Sequence, residues 1–150
     1  MKEYSIKQIG VDEYSNCIDI WNKQKFLSTE NYIKEQIKAG NREVFVLAAE
    51  DEYIAMCDLV YNNPEYETVS AKRLYLPRLV VKKGYRGEGY GKAIVKEVLS
   101  IAKEKGYSEI VLGVDCDNTI AINLYKKHGF TIYEEAEDEV GKFYKMIKLL

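Results

Sequence analysis

The chain has 150 residues, 47% of them apolar and 31% charged, and its formal net charge is −2. This suits one folded domain with a substantial core, and it excludes a disordered chain. Both signs of charge are scattered, so no concentrated positive face for nucleic acid is expected. The cysteines, Cys17, Cys57 and Cys116, are odd in number and far apart, with no CxxC or Cys/His cluster. Reduced thiols are therefore expected, with neither a disulfide framework nor a metal site. Met1 to Ile6 carries no apolar signal region, and no apolar run approaches the roughly 20 residues of a membrane helix. A cytoplasmic protein without membrane contact is the expectation.

Tyr4 to Ile9 alternates as a strand. Asp12 opens a helix to about Gln24, with Tyr14, Cys17, Ile18 and Trp21 at helical spacing. Ser28 or Thr29 is expected to cap a second helix carrying Tyr32, Ile33, Gln36 and Ile37, stopped at Gly40-Asn41. Val44–Ala49 and Tyr53–Tyr61 read as a hairpin around Glu50-Asp51-Glu52. A long strand follows from about Thr68 to Val81, interrupted in pattern by Pro77, which cannot donate to a neighbouring strand. Either Pro77 lies on an edge, or the strand bulges and its partner diverges there.

The clearest helix comes next, with Ile94, Val95, Val98, Leu99 and Ala102 in one apolar stripe and Gly106 as its stop. Glu109–Val114 reads as a buried strand. Asp117 or Asn118 caps a helix containing Ile120, Ala121, Leu124 and Tyr125, ended by Gly129. Phe130–Tyr133 and Lys142–Leu149 close the chain as a strand pair around an acidic loop. No internal repeat or linker divides the chain, so residues 1–150 are expected to form one α/β domain with a mixed sheet.

Chemistry concentrates in Arg86-Gly87-Glu88-Gly89-Tyr90-Gly91-Lys92, between a strand and the best helix. Glycines permit positive φ and close approach to backbone amides, and a helix start offers unpaired N–H groups to a phosphate. Arg86 and Lys92 reinforce that preference. A Walker A loop is excluded, because Arg86 replaces its first glycine and Ala93 has no hydroxyl for magnesium. A dinucleotide fingerprint is excluded by the GxGxG spacing and the late position.

Arg86, Gly89 and Gly91 match in order the pyrophosphate pattern of the GNAT superfamily of N-acetyltransferases, which is Gln or Arg, two residues, Gly, one residue, then Gly or Ala. Downstream, Asn118, Ala121, Leu124, Tyr125, Gly129 and Phe130 match the NxxAxxLYxxxGF pattern of the same families. On these two matches the chain resembles a GNAT N-acetyltransferase.

The resemblance implies a mixed sheet of about seven strands with four flanking helices. It splays in a V between the fourth strand (Thr68–Val81) and the fifth (Glu109–Val114). Acetyl-CoA as acetyl donor, with no metal, would enter that gap. Its pantetheine arm would pair with the exposed backbone of Leu79 and Val81. The amides of Gly87 to Lys92, Tyr90 included, would hold the pyrophosphate beside Arg86. Asn118 would contact the pantetheine or order the site. Splaying would also make Pro77 tolerable.

A primary amine must lose a proton before it attacks the thioester, and the intermediate carries an oxyanion. Val81 N–H is the candidate oxyanion donor, and Tyr125 the candidate acid for the departing thiolate. No base is assigned. Some relatives carry a glutamate on the fifth strand, where this chain has Gly113, and others on the fourth, near Tyr75, Leu76 and Arg78. Asp58, Glu67 and Asp115 are proton acceptors through water at most, and each reads first as a surface carboxylate. His128 reads as a helix-end polar residue.

The acidic run Glu134, Glu135, Glu137, Asp138, Glu139 invites a cationic acceptor, or is a solvated hairpin tip. Some of Tyr61, Tyr66 and Tyr75 are candidates for the acceptor pocket wall. The expected partner is a small-molecule or peptide amine, with a homodimer compatible. The competing reading is a non-catalytic acyl-CoA-binding sensor with the same fold.

Overall fold

The computed structural model describes Met1–Leu150, and its first strand, β1, is Ser5–Ile9. Gly10 follows in extended backbone, and the Glu13 carboxylate accepts its N–H at 3.3 Å. This turn opens a 3-10 helix over Val11–Asp19, where an α-helix was expected as far as Gln24. Tyr14 and Cys17 lie one 3-10 turn apart, so their spacing fits either helix type. Both are fully buried. Helix α1 spans Lys23–Lys38 and is capped by Asn22, whose side chain accepts from Lys25 N at 3.1 Å. Ser28 and Thr29 are not caps. They lie inside α1 and return their hydroxyls to the Lys25 carbonyl at 3.0 and 2.8 Å.

Strands β2 (Arg42–Ala49) and β3 (Glu52–Val60) form the expected hairpin. Its turn residues Glu50 and Asp51 both take positive φ, 52° and 63°, which matches the right-handed twist of the strands they join. The long strand expected from Thr68 to Val81 is two strands, β4 (Arg73–Tyr75) and β5 (Leu79–Val81), parted at Leu76-Pro77-Arg78. The sheet therefore has eight strands where about seven were expected. Helix α2 (Tyr90–Glu104) buries all five residues of its predicted stripe. Each such aliphatic side chain contributes roughly 1.5–3 kcal/mol when fully buried. Strand β6 (Glu109–Asp115), helix α3 (Thr119–Lys127), β7 (Thr131–Glu137) and β8 (Lys142–Leu149) complete the chain.

The sheet order is β1-β2-β3-β4-β6-β8-β7, with β5 on β3. Only the β4–β6 pair is parallel. One face packs on α2 and α3 through residues such as Leu59, Leu74, Ile110, Leu112 and Tyr125. The other packs on the 3-10 helix and α1 through Val44, Val46 and Met56. Alternation along each strand fixes which side chains reach which face. No helix is long and apolar enough to cross a membrane.

Candidate active site

The sheet opens between β5 and β6. Tyr75 pairs with Val111, and Leu76 N donates to Val111 O at 2.9 Å. After that bond the strands separate: β5 pairs only with β3, and β6 from Leu112 onward pairs only with β8. Pro77 stands at the parting, where no neighbour requires its missing N–H. Asp58 N donates to Arg78 O and Lys82 N to Ile54 O. In an antiparallel pair that phase turns the backbone of Arg78, Val80 and Lys82 toward β3. Leu79 and Val81 therefore direct their main-chain groups into the opening. The Val81 carbonyl is engaged by Arg86 Nε at 2.9 Å, which leaves its N–H facing the gap.

The glycine-rich segment lies at the top of this opening. Gly87 and Gly89 adopt φ of 78° and 95°, a region costly for any side chain. No backbone amide from Arg86 to Lys92 donates to another group of the chain, and the first bond of the helix start is Ala93 N to Gly89 O at 3.0 Å. Gly91 permits close packing: a Cβ there would lie 3.4 Å from Val81 Cγ2. Tyr90 offers its amide alone. Its ring is buried, and its hydroxyl accepts from Lys2 N at 3.0 Å. Arg86 and Lys92 are exposed. Unengaged amides at a helix start, flanked by two cations, suit a pyrophosphate.

Across the gap, Asn118 is the cap of α3, its side chain accepting from Ala121 N at 3.2 Å. That bond gives a local reason for an Asn at the start of α3. Tyr125 is buried to 6% exposure and packs edge-on to Phe130. Burial, then the neighbouring Cys57 thiol, pushes its phenol up, so it is protonated at neutral pH.

Beside the split, the α1 face holds groups that no local spacing in the sequence brings together. Asp58 is fully buried, not a surface carboxylate. Its Oδ2 accepts from Arg42 Nε at 2.7 Å and from Arg78 Nε at 2.9 Å. Arg78 also donates to the Tyr14 hydroxyl and lies over the Trp21 ring. A lone aspartate in the apolar run of β3 was the available signal; its partners, distant in sequence, carried none.

Tyr66 and Tyr75 stack at 4.0 Å and line this side, whereas Tyr61 packs on Tyr107 against the opposite face. Glu67 and Asp115 are exposed. His128 caps the end of α3, and burial, helped by Lys92, Lys148 and Lys96, lowers its pKa. Glu134, Glu135 and Glu137 lie in β7 rather than in a loop, Glu134 pairing with Lys145 at 3.4 Å. All three cysteines are free thiols. No group of three or more His, Cys, Asp and Glu side chains is arranged to hold a metal ion. A groove of about 1080 Å³ at the β1 edge, lined by Tyr4, Asn16 and Tyr53, holds none of the motif residues.

Known proteins share part of this sequence and its fold. The thialysine N-epsilon-acetyltransferase of Sus scrofa is 40% identical over 72 residues, 48% of this chain and 42% of that protein. The chain thus spans less than half the length of that relative. Among solved structures, the PaiA N-acetyltransferase of Thermoplasma acidophilum in complex with coenzyme A superposes with a TM-score of 0.75 at 18% identity, covering 99% of each chain. A probable acetyltransferase from Staphylococcus epidermidis reaches 0.81 at 16% identity over 98% and 99% of the two chains. The model of the acetyltransferase (GNAT) family matches residues 6–130, and the chain belongs to that family.

Proposed function

We propose that residues 1–150 act as one domain that transfers an acetyl group from acetyl-CoA to a primary amine by direct attack on the thioester. The observation that carries this reading is the split sheet. It has a strand backbone free on one side, a run of unengaged amides at its top and a protonated tyrosine across it. The donor would supply an activated acetyl thioester. Leu79 and Val81 would hold its arm by main-chain bonds, and the amides from Gly87 to Lys92, with Arg86 bracing the turn, would hold the pyrophosphate. Asn118 orders the opposite wall through its cap. The Val81 N–H would stabilise the oxyanion, and Tyr125 would give its proton to the departing sulfur.

No carboxylate in the opening takes the role of base: Asp58 is committed to two guanidinium groups, and Gly113 brings no side chain. Attack by the fraction of amine already deprotonated fits this arrangement. A cytoplasmic setting agrees with the free cysteines. The exposed edge strand β7, with Ile132 and Tyr133 open, offers a place for a second copy.

Mixing pure protein, acetyl-CoA and a panel of primary amines should release free thiol only where an amine is present. Tyr125→Phe should lower kcat by roughly 10²-fold or more with little change in CoA affinity; an unchanged rate removes Tyr125 from the acid role.

A further inference from the structure

Gly113 faces away from α2, since its neighbours Leu112 and Val114 are buried in the α2 core. The space that a side chain there would take is already filled. A Cβ built on Gly113 would lie 2.1 Å from the Tyr66 hydroxyl and 3.1 Å from Tyr66 Cζ. Tyr66 comes from the connection between β3 and β4, on a short 3-10 turn over Pro64–Tyr66. That turn is pinned by Asn63, whose side chain accepts from Glu65 N at 3.0 Å and whose N–H donates to Thr68 Oγ1 at 2.8 Å.

The ring has little freedom. It stacks on Tyr75 of β4 with rings 11° from parallel, and the Lys145 ammonium lies 5.2 Å from its centroid. Lys145 is the β8 residue paired directly with Gly113, is 9% exposed, and donates to Glu65 O at 3.1 Å. One loop residue therefore overlies β4, β6 and β8 beside the split, at 8% exposure.

We infer that Tyr66 is the acceptor-selecting residue of this domain: by filling the place of a β6 side chain, it admits amines whose nitrogen sits on an unbranched carbon and rejects α-branched ones. This rests on the acetyl-transfer reading above. An acceptor reaching the split from the α1 face passes Gly113, and substituents on the carbon next to its nitrogen meet the Tyr66 ring. Discrimination by such a wall is a matter of one or two methyl groups, worth about 10- to 200-fold.

The test compares n-propylamine with isopropylamine, a pair differing only in branching, by kcat/KM for thiol release. Wild-type protein should favour n-propylamine. Tyr66→Ala should move the ratio toward isopropylamine by about tenfold or more. Gly113→Ala should move it the same way, because its new Cβ displaces the Tyr66 hydroxyl. Adding Tyr66→Phe to Gly113→Ala should return the ratio toward wild type, since the overlapping oxygen is gone. Release with a ratio unchanged in both Tyr66→Ala and Gly113→Ala overturns the selector alone. If the wild-type protein releases thiol with neither amine nor with any other in the panel, the acetyl-transfer reading falls and the selector with it.

Discussion

Asp58 has two guanidinium groups on one of its oxygens, while its other oxygen, Oδ1, and Arg78 Nη1 are buried without partners. Removing one member of a buried ion network leaves the others charged and out of water, at about 3–5 kcal/mol. A domain has roughly 5–15 kcal/mol to lose. Asp58→Ala is therefore expected to lower stability by about 3–5 kcal/mol in urea unfolding, because Arg42 and Arg78 lose their only carboxylate. A loss under 1 kcal/mol would mean that water already satisfies the cluster.

Residue chemistry was legible in unequal parts. Arg86, Gly89, Gly91, Asn118 and Tyr125 stand on local spacing, which a sequence displays directly. Asp58 meets Arg42 16 positions away, and Gly113 and Tyr66 both meet Lys145 from far along the chain; no local pattern encodes such meetings.

Among the elements, α2 matters most to the proposed donor site, because its first turn sits close on β5. Gly91 makes this contact possible, with Val81, Leu79 and Leu124 all within 4 Å of where a Cβ would stand. Gly91→Val inserts a branched side chain there at roughly 1–3 kcal/mol of strain, moving the amides that precede it. The expected result is CoA binding weakened by about tenfold or more by calorimetry, with α-helical circular dichroism retained. Unaltered CoA affinity would mean that the first turn does not hold the pyrophosphate.

Helices with a full apolar stripe were readable in advance, α2 above all. The segment Val11–Asp19 was misjudged in type, because two buried residues three apart cannot distinguish a 3-10 from an α-helix. The start of α1 was placed late, since Ser28 and Thr29 have cap chemistry but Asn22 is better placed to use it. Pro77 announced the break between β4 and β5. Only tertiary pairing shows that the partner strand diverges there while β3 stays.

Across the whole molecule, one open sheet separates two faces of different character. The glycine segment, α2 and α3 occupy the first, which we propose serves the donor, and the Arg42–Asp58–Arg78 cluster with Tyr66 and Tyr75 occupies the second, which we propose serves the acceptor. The split between β5 and β6 opens between the two faces, and in the proposed reaction a group held from above meets a nucleophile from the other face there. The family pattern made this architecture readable from two short motifs. The proposed acceptor wall was not readable, because it is assembled from the 3-10 helix, α1, β2, β3, the Pro64–Tyr66 turn, β4, β6 and β8.

In the proposed reaction the split joins a bound acetyl thioester to an incoming amine. Its most direct test is to incubate the protein with acetyl-CoA labelled in the acetyl group and an amine panel, then examine the amines by mass spectrometry. Labelled amide should form in step with free thiol, and only with enzyme present. Acetyl-CoA that binds yet stays intact with every amine would contradict it.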